Sequence, residues 1–174
     1  MRVGIGYDSH RFDPARPLVL GGITIPDHPG LSGHSDGDAV LHAIIDALLG
    51  AAGLAGIGAM FPNDDPRYEG ADSVELLEAA VAEVRRAGFD VGNVDVTVIA
   101  ESPRLSPYVS EMSSRTALAC GVSVADVSVK GKSNEGLGWI GRGEGLAAMA
   151  VVSVVRRTGT PAPEPTSDAP VPSG

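Results

Sequence analysis

The residues able to do chemistry gather in the first third of the chain. Gly33-His34-Ser35-Asp36-Gly37-Asp38, running on through His42 to Asp46, places two histidines and three carboxylates at the start of an otherwise apolar segment. Upstream, Asp8-Ser9-His10 adds a carboxylate and an imidazole at the alternate spacing that puts both on one face of a strand. Asp8, His10 and His42 together form a mixed oxygen and nitrogen donor set that suits zinc with one coordination position left for substrate. That points to an enzyme, and to chemistry on a charged oxygen group. His42 lies one helical turn after Asp38 and one before Asp46, so all three share a helix face. Either acid is placed to accept the other imidazole N–H and fix the tautomer. His34-Ser35 stands just ahead of the helix, where free backbone N–H groups and the positive dipole end favour a phosphate; N-capping by Ser35 is compatible with that.

A second cluster begins at Lys130-Gly131-Lys132-Ser133-Asn134-Glu135 and runs to Gly145 with five more glycines. Glycine lets backbone approach a ligand closely, Lys132 and Arg142 supply cations, and Glu135 is a candidate for a hard ion such as Mg²⁺. Ala100-Glu101-Ser102-Pro103-Arg104-Leu105 leaves a strand and turns at Pro103, a rim suited to a nucleotide phosphate. Phe61-Pro62-Asn63-Asp64-Asp65-Pro66 is an acidic turn whose plain reading is a solvated loop.

The elements that must position these groups follow from patterning. Residues 2–8 and 17–25 read as strands, with Gly21-Gly22 as a turn. Ser35 or Asp36 caps a helix over about 38–53, and the glycines from Gly50 to Gly58 end it. Asp72 with Glu75 opens a helix to about Ala87 that Gly88 stops. From Asn93 to Glu101, Val94, Val96, Val98 and Ala100 alternate with Asp95, Thr97 and Ile99, which predicts a strand. Ser106-Pro107 opens a third helix closed by Gly121. Val127–Lys130 is a short strand, residues 133–145 a glycine-rich loop, and Leu146–Arg156 a final apolar strand. The order predicts an α/β fold (an α+β two-layer arrangement), a mixed sheet packed with three helices. Long apolar strands with few aromatics call for a second subunit over one sheet face. Residues 1–157 form a single domain, and the tail from Thr158 to Gly174, with prolines at 161, 163, 165, 170 and 172, reads as disordered.

Composition narrows the function. A net charge of −9 argues against nucleic acid as a partner and requires that any anionic substrate meet positive potential made locally. Residues 39–61 are apolar enough to resemble a membrane span, but His42, Asp46 and Gly50, Gly53, Gly56 and Gly58 argue against one. Cys120 is the sole cysteine, which excludes an internal disulfide and fits a cytoplasmic protein, as does an N-terminus that enters a strand with no signal peptide.

Read in order, Asp8-x-His10, His34-Ser35-Asp36-Gly37-Asp38-x-x-x-His42, Phe61-Pro62-x-x-Asp65, Gly92-Asn93-Val94-Asp95 and Gly141-Arg142-Gly143-Glu144-Gly145 resemble the 2-C-methyl-D-erythritol 2,4-cyclodiphosphate synthase family of the non-mevalonate isoprenoid pathway. The resemblance covers residues 1 to about 157. It implies a homotrimer with sheets around a central axis and active sites between neighbouring subunits. Asp8, His10 and His42 would hold zinc, and Glu135 would help hold Mg²⁺ or Mn²⁺ on the substrate diphosphate. His34 and Ser133 would stabilise the transition state, with a hydroxyl kept at Ser133 where most relatives carry threonine. Ala100, Pro103, Arg104 and Leu105, with Lys132 and Ser133, would line the cytidine pocket. Asp8, His10, His34, Ser35, Gly58, Phe61, Asp65, Glu135, Trp139 and Arg142 would contact the erythritol and phosphate portion. The implied partner is a cytidine diphosphate substrate, closed on itself with release of CMP. Gly56, Asn63 and the run Gly131-Lys132-Ser133-Asn134 depart from the commoner family residues, but none is a zinc ligand. Two rivals remain. One is a non-catalytic trimer that binds zinc and an isoprenoid diphosphate, gripped on its axis by Arg142 and Glu144. The other is a zinc phosphoesterase.

Overall fold

Two glycines decide how the cation donors meet. In the computed structural model, which describes residues 1–157, β1 (Arg2–Leu20) turns its Gly4, Gly6, Asp8 and His10 toward α1 (Ala39–Ala52). A Cβ on Gly4 would sit 2.0 Å from the Ala47 carbonyl oxygen, and one on Gly6 2.0 Å from that of Ala43. Backbone therefore rests on backbone, closer than any side chain permits. The alternation that aims these glycines at the helix carries Asp8 and His10 onto the same face, beside His42.

β1 is one strand of 19 residues where the sequence predicts two. It pairs antiparallel with β2 (Ile23–Leu31) across the Gly21-Gly22 turn, and a bulge near Asp13–Pro17 accommodates the two prolines that hid its continuity. The sheet is five-stranded and mixed, in the order β2-β1-β5-β3-β4. β5 (Gly145–Arg156) lies antiparallel between β1 and β3 (Phe89–Ile99), and β4 (Val127–Lys132) runs parallel to β3. Val94, Val96 and Val98 are buried as their alternation predicts.

The cap of α1 corrects the sequence reading. Asp38, not Ser35 or Asp36, occupies the N-cap, and its carboxylate accepts N–H bonds from Val40, Leu41, Gly21 and Gly22 at 2.7–3.1 Å. The amides expected to face a phosphate are thus engaged by Asp38, which also fastens the helix to the hairpin turn. A four-residue helix, α2 (Ile57–Met60), follows. α3 (Ser73–Arg86) starts under Asp72, which accepts the Val74 N–H at 2.8 Å. α4 (Val109–Cys120) begins beyond Pro107, so that proline lies in the preceding turn rather than in the helix. The glycine-rich segment holds one helical turn, α5 (Gly138–Gly141).

The long helices α1, α3 and α4 cover one face of the sheet and bury the core between them. Cys120 belongs to that core, and burial pushes its thiol up to about 12, so it packs rather than reacts. On the opposite face Val3, Ile5, Tyr7, Met149, Val151 and Val155 stand exposed, with Ile5 paired to Val151 and Tyr7 to Met149. The proline-rich tail expected from Thr158 lies outside the described residues. No helix among the described residues is long and apolar enough to cross a membrane.

Candidate active site

Where β1 meets the first turns of α1, three donor atoms converge. Asp8 Oδ2 lies 2.8 Å from His10 Nε2 and 3.0 Å from His42 Nδ1, and the two nitrogens are 3.4 Å apart. Ligands at ~2.0–2.2 Å around a tetrahedral ion stand about 3.3 Å from one another, so this triangle fits one face of a zinc polyhedron. The outer nitrogens fix which lone pairs point inward. His10 Nδ1–H donates to the Ser32 carbonyl at 2.5 Å, which frees Nε2 for a cation. Ser73 Oγ donates its only proton to Asp36 Oδ1 at 2.5 Å and must accept from His42 Nε2–H, 3.0 Å away. That frees His42 Nδ1. Ser35 Oγ lies at the same 3.0 Å distance from His42 Nε2.

Without a cation the three groups favour one another's charged forms. Burial alone would raise the Asp8 carboxyl, but the facing imidazoles of His10 and His42, when protonated, outweigh it and hold Asp8 well below the usual carboxylate range. Burial likewise opposes a charged His10, yet the Asp8 hydrogen bond and charge raise its pKa above the ordinary imidazole value.

The partner expected for His42 is corrected. Asp38 is committed to four backbone amides, and Asp46 Oδ1 accepts the Ile57 N–H at 2.7 Å. The polar partners of His42 Nε2 are Ser35 and Ser73. Residues one helical turn away share a face, but sequence spacing does not show which local amides claim an acid first.

Beside the triad opens a cavity of about 250 Å³ lined by Asp8, His10, His34, Ser35, His42, Gly58 and Phe61, all singled out in the sequence. Tyr7, Gly33, Asp46, Ile57, Asn63, Tyr68 and Leu76 complete it. Asp65 is absent from that lining. Its carboxylate forks onto Arg67 at 2.6–3.1 Å, and its carbonyl lies 3.3 Å from His34 Nε2. Ser73 and Asp36 were not assigned from sequence; a serine opening a helix reads as a cap, and only the fold brings it to His42.

A separate groove of about 470 Å³ collects Ala100, Pro103, Arg104, Leu105, Lys132 and Ser133 with Glu101 and Ser106. Glu101 Oε1 accepts the N–H groups of Asn134 and Gly136, and Ser133 Oγ donates to Glu135 Oε1 at 2.8 Å. This groove shares no lining residue with the first cavity. Trp139 borders a third, smaller hollow with Ser9, His10, Arg11 and Glu144. Arg142 pairs with Glu144 at 2.7 Å. The chain therefore presents the assigned residues in separate places.

Three donors able to hold a cation at the rim of a cavity, set on a mixed α/β sheet, form the architecture of a small-molecule enzyme. Residues 1–155 match the YgbB family. A protein named 2-C-methyl-D-erythritol 2,4-cyclodiphosphate synthase from Gemmatimonas aurantiaca is 56% identical over 155 residues, covering 89% of this chain and 93% of its own. A protein of the same name from Moorella thermoacetica is 53% identical over 157 residues, covering 90% and 96%. Among solved structures, a CDP-bound 2C-methyl-D-erythritol-2,4-cyclodiphosphate synthase superposes with a TM-score of 0.81 at 35% identity, covering 88% of this chain and all of that one (100%). The bifunctional IspDF of Campylobacter jejuni superposes at 0.85 with 41% identity, covering 88% of this chain and 42% of that longer one. The chain belongs to the YgbB family.

Proposed function

We propose that this protein closes 4-diphosphocytidyl-2-C-methyl-D-erythritol 2-phosphate into 2-C-methyl-D-erythritol 2,4-cyclodiphosphate and releases CMP, as a metal-dependent phosphorus–oxygen lyase of cytoplasmic isoprenoid synthesis. The donor triangle of Asp8, His10 and His42 at the rim of a cavity shared with His34 and Ser35 carries this reading. Membership of the family and relatives of that name support it.

The substrate contains its own nucleophile. An oxygen of its 2-phosphate attacks the β-phosphorus, a new P–O bond closes the ring, and the β-phosphorus–oxygen bond to CMP breaks with its electron pair leaving on CMP. The attacking phosphate is already ionised near neutral pH, so the site needs no strong base. What it must overcome is repulsion between anions and the entropy of folding the chain back on itself. Holding both ends in line contributes up to ~7–11 kcal/mol in favourable cases. Asp8, His10 and His42 would hold zinc, and Glu135 would help hold Mg²⁺ or Mn²⁺; such cations neutralise the diphosphate. His34, at the cavity rim, donates to a phosphoryl oxygen, and Ser133 does so from the nucleotide groove, whose backbone and Lys132 hold the cytidine end.

The assembly in this reading is a homotrimer. The exposed apolar face of β1 and β5 supports it, as does the separation of groove from cavity, since a neighbouring subunit then brings one to the other. Ile5 is 66% exposed, and Ile5→Asp places a charge at the centre of that face. We expect this variant to sediment as a monomer and to lose CMP release by on the order of 10²-fold through lost positioning. A monomer at full rate would refute the shared site.

Phosphorus NMR of the protein with the cytidyl substrate, Mg²⁺ and trace Zn²⁺ tests the reaction itself. CMP appearing with a cyclic diphosphate is the expected outcome. CMP with an open-chain phosphate would mean a hydrolase, and no turnover by an intact, zinc-loaded protein would mean a binding module.

A further inference from the structure

We infer that Arg16 is a positioning residue for the reaction, its guanidinium fork holding the loop that carries His34 and Ser35 against both imidazoles of the cation site; this rests on the cyclisation reading. Residues 14–16 leave the β1–β2 ladder, since Asp13 pairs with Gly30 and Pro17 with the adjacent Pro29. The excursion is closed tightly. Asp13 Oδ1 accepts the Ala15 N–H at 2.9 Å, and a Cβ on Gly30 would lie 2.1 Å from the Pro17 carbonyl oxygen and 2.6 Å from that of Arg16. A bulge packed this closely aims its side chain in one direction.

That direction is the loop. Arg16 Nη1 donates to the Gly33 carbonyl at 2.6 Å, and Nη2 donates to the carbonyl of Ser35. The intervening His34 carbonyl accepts the Gly70 N–H at 2.8 Å, so three consecutive carbonyls are tied down. The same loop touches both imidazoles. The Ser32 carbonyl accepts from His10, a Cβ on Gly33 would lie 3.3 Å from His10 Cε1, and Ser35 Oγ lies 3.0 Å from His42 Nε2. One side chain on a strand bulge thus sets the orientation of His34 and the outer contacts of two cation donors. A planar fork reaches two carbonyls from two separate nitrogens, whereas lysine offers a single nitrogen on a flexible stem and cannot span them in the same geometry.

The nucleotide groove is built from other segments and serves as the internal control. Arg16→Ala and Arg16→Lys are compared with the wild-type protein for kcat, KM, zinc affinity by competitive titration, and CMP affinity by calorimetry. We expect both variants to fold and to bind CMP as the wild type does, to lose kcat by on the order of 10²-fold, and to lose zinc affinity by roughly 10–100-fold. Failure of lysine to rescue is the signature of the fork. Wild-type kcat and zinc affinity in Arg16→Ala, full rescue by lysine, or CMP affinity falling alongside kcat would each overturn the assignment. If the wild-type protein itself releases no CMP, the cyclisation reading fails, and zinc affinity alone decides the clamp.

Discussion

Asp8→Ala is expected to leave a folded protein that no longer retains zinc and has lost nearly all CMP release. Asp8 is the only carboxylate of the donor triangle and the group that both imidazoles face. Removing it takes away a ligand and the negative charge that favours a cation there. Metal-borne charge stabilisation is worth several kcal/mol, so the expected fall in rate is on the order of 10³-fold or more. Zinc content after dialysis, read beside the rate, checks both halves; a variant with stoichiometric zinc and full turnover would exclude Asp8 as a ligand. The wild-type site should also show a proton signature. A cation must displace any proton on His10, whose pKa is raised by Asp8. Apparent zinc affinity therefore falls about tenfold per pH unit below that pKa and levels off above it. In Asp8→Ala the cause of the raised value is gone, and any residual binding should lose its proton competition at a lower pH.

Asp38→Ala is expected to be the most destabilising single change near the site. Its fully buried carboxylate satisfies four amides drawn from the Gly21-Gly22 turn and the first turn of α1. Alanine strands those donors where water does not reach. Losses of this kind run to ~3–5 kcal/mol, which for a domain of this size lowers the thermal midpoint by roughly 10–15 °C. Asp38→Asn keeps acceptor capacity on one oxygen and should fall between. Urea or thermal unfolding measures the difference, and a loss below ~1 kcal/mol would show that water or rearrangement satisfies the amides. Zinc affinity should weaken in parallel, because the same cap fixes the helix turn that carries His42.

These two acids also show what sequence can and cannot convey. Asp8 and His10 were legible because strand alternation is a strict rule, and Val94, Val96 and Val98 were legible for the same reason. Asp72 was legible as a cap because its amide partner is two residues away. Asp38 was misread since half its partners come from a turn 16 and 17 residues upstream. The continuity of β1 was hidden by Pro14 and Pro17, which break a strand in isolation but sit at a bulge in the fold. Ser73, held by Asp36, meets His42 only through tertiary packing, 31 residues separating the serine from the ring. The loop from Ala100 to Leu105 read from its residues only as a phosphate rim, and its assignment to cytidine came from family resemblance, since glycine-rich and proline-turn loops carry no periodicity.

The glycines at positions 4 and 6 have a consequence for which ions the site admits. With the α1 backbone seated directly on the strand, the gap between Asp8 and His42 is set by main-chain atoms and not by side chains that can shift. Such a jaw has little freedom to widen. Ions preferring ligand distances of about 2.3–2.6 Å and six to eight oxygens, as Ca²⁺ does, find the opening too narrow and too rich in nitrogen. If the site holds zinc as proposed, selection of a small, borderline-soft cation would rest on two absent methyl groups, two and four residues before Asp8 on the same strand face.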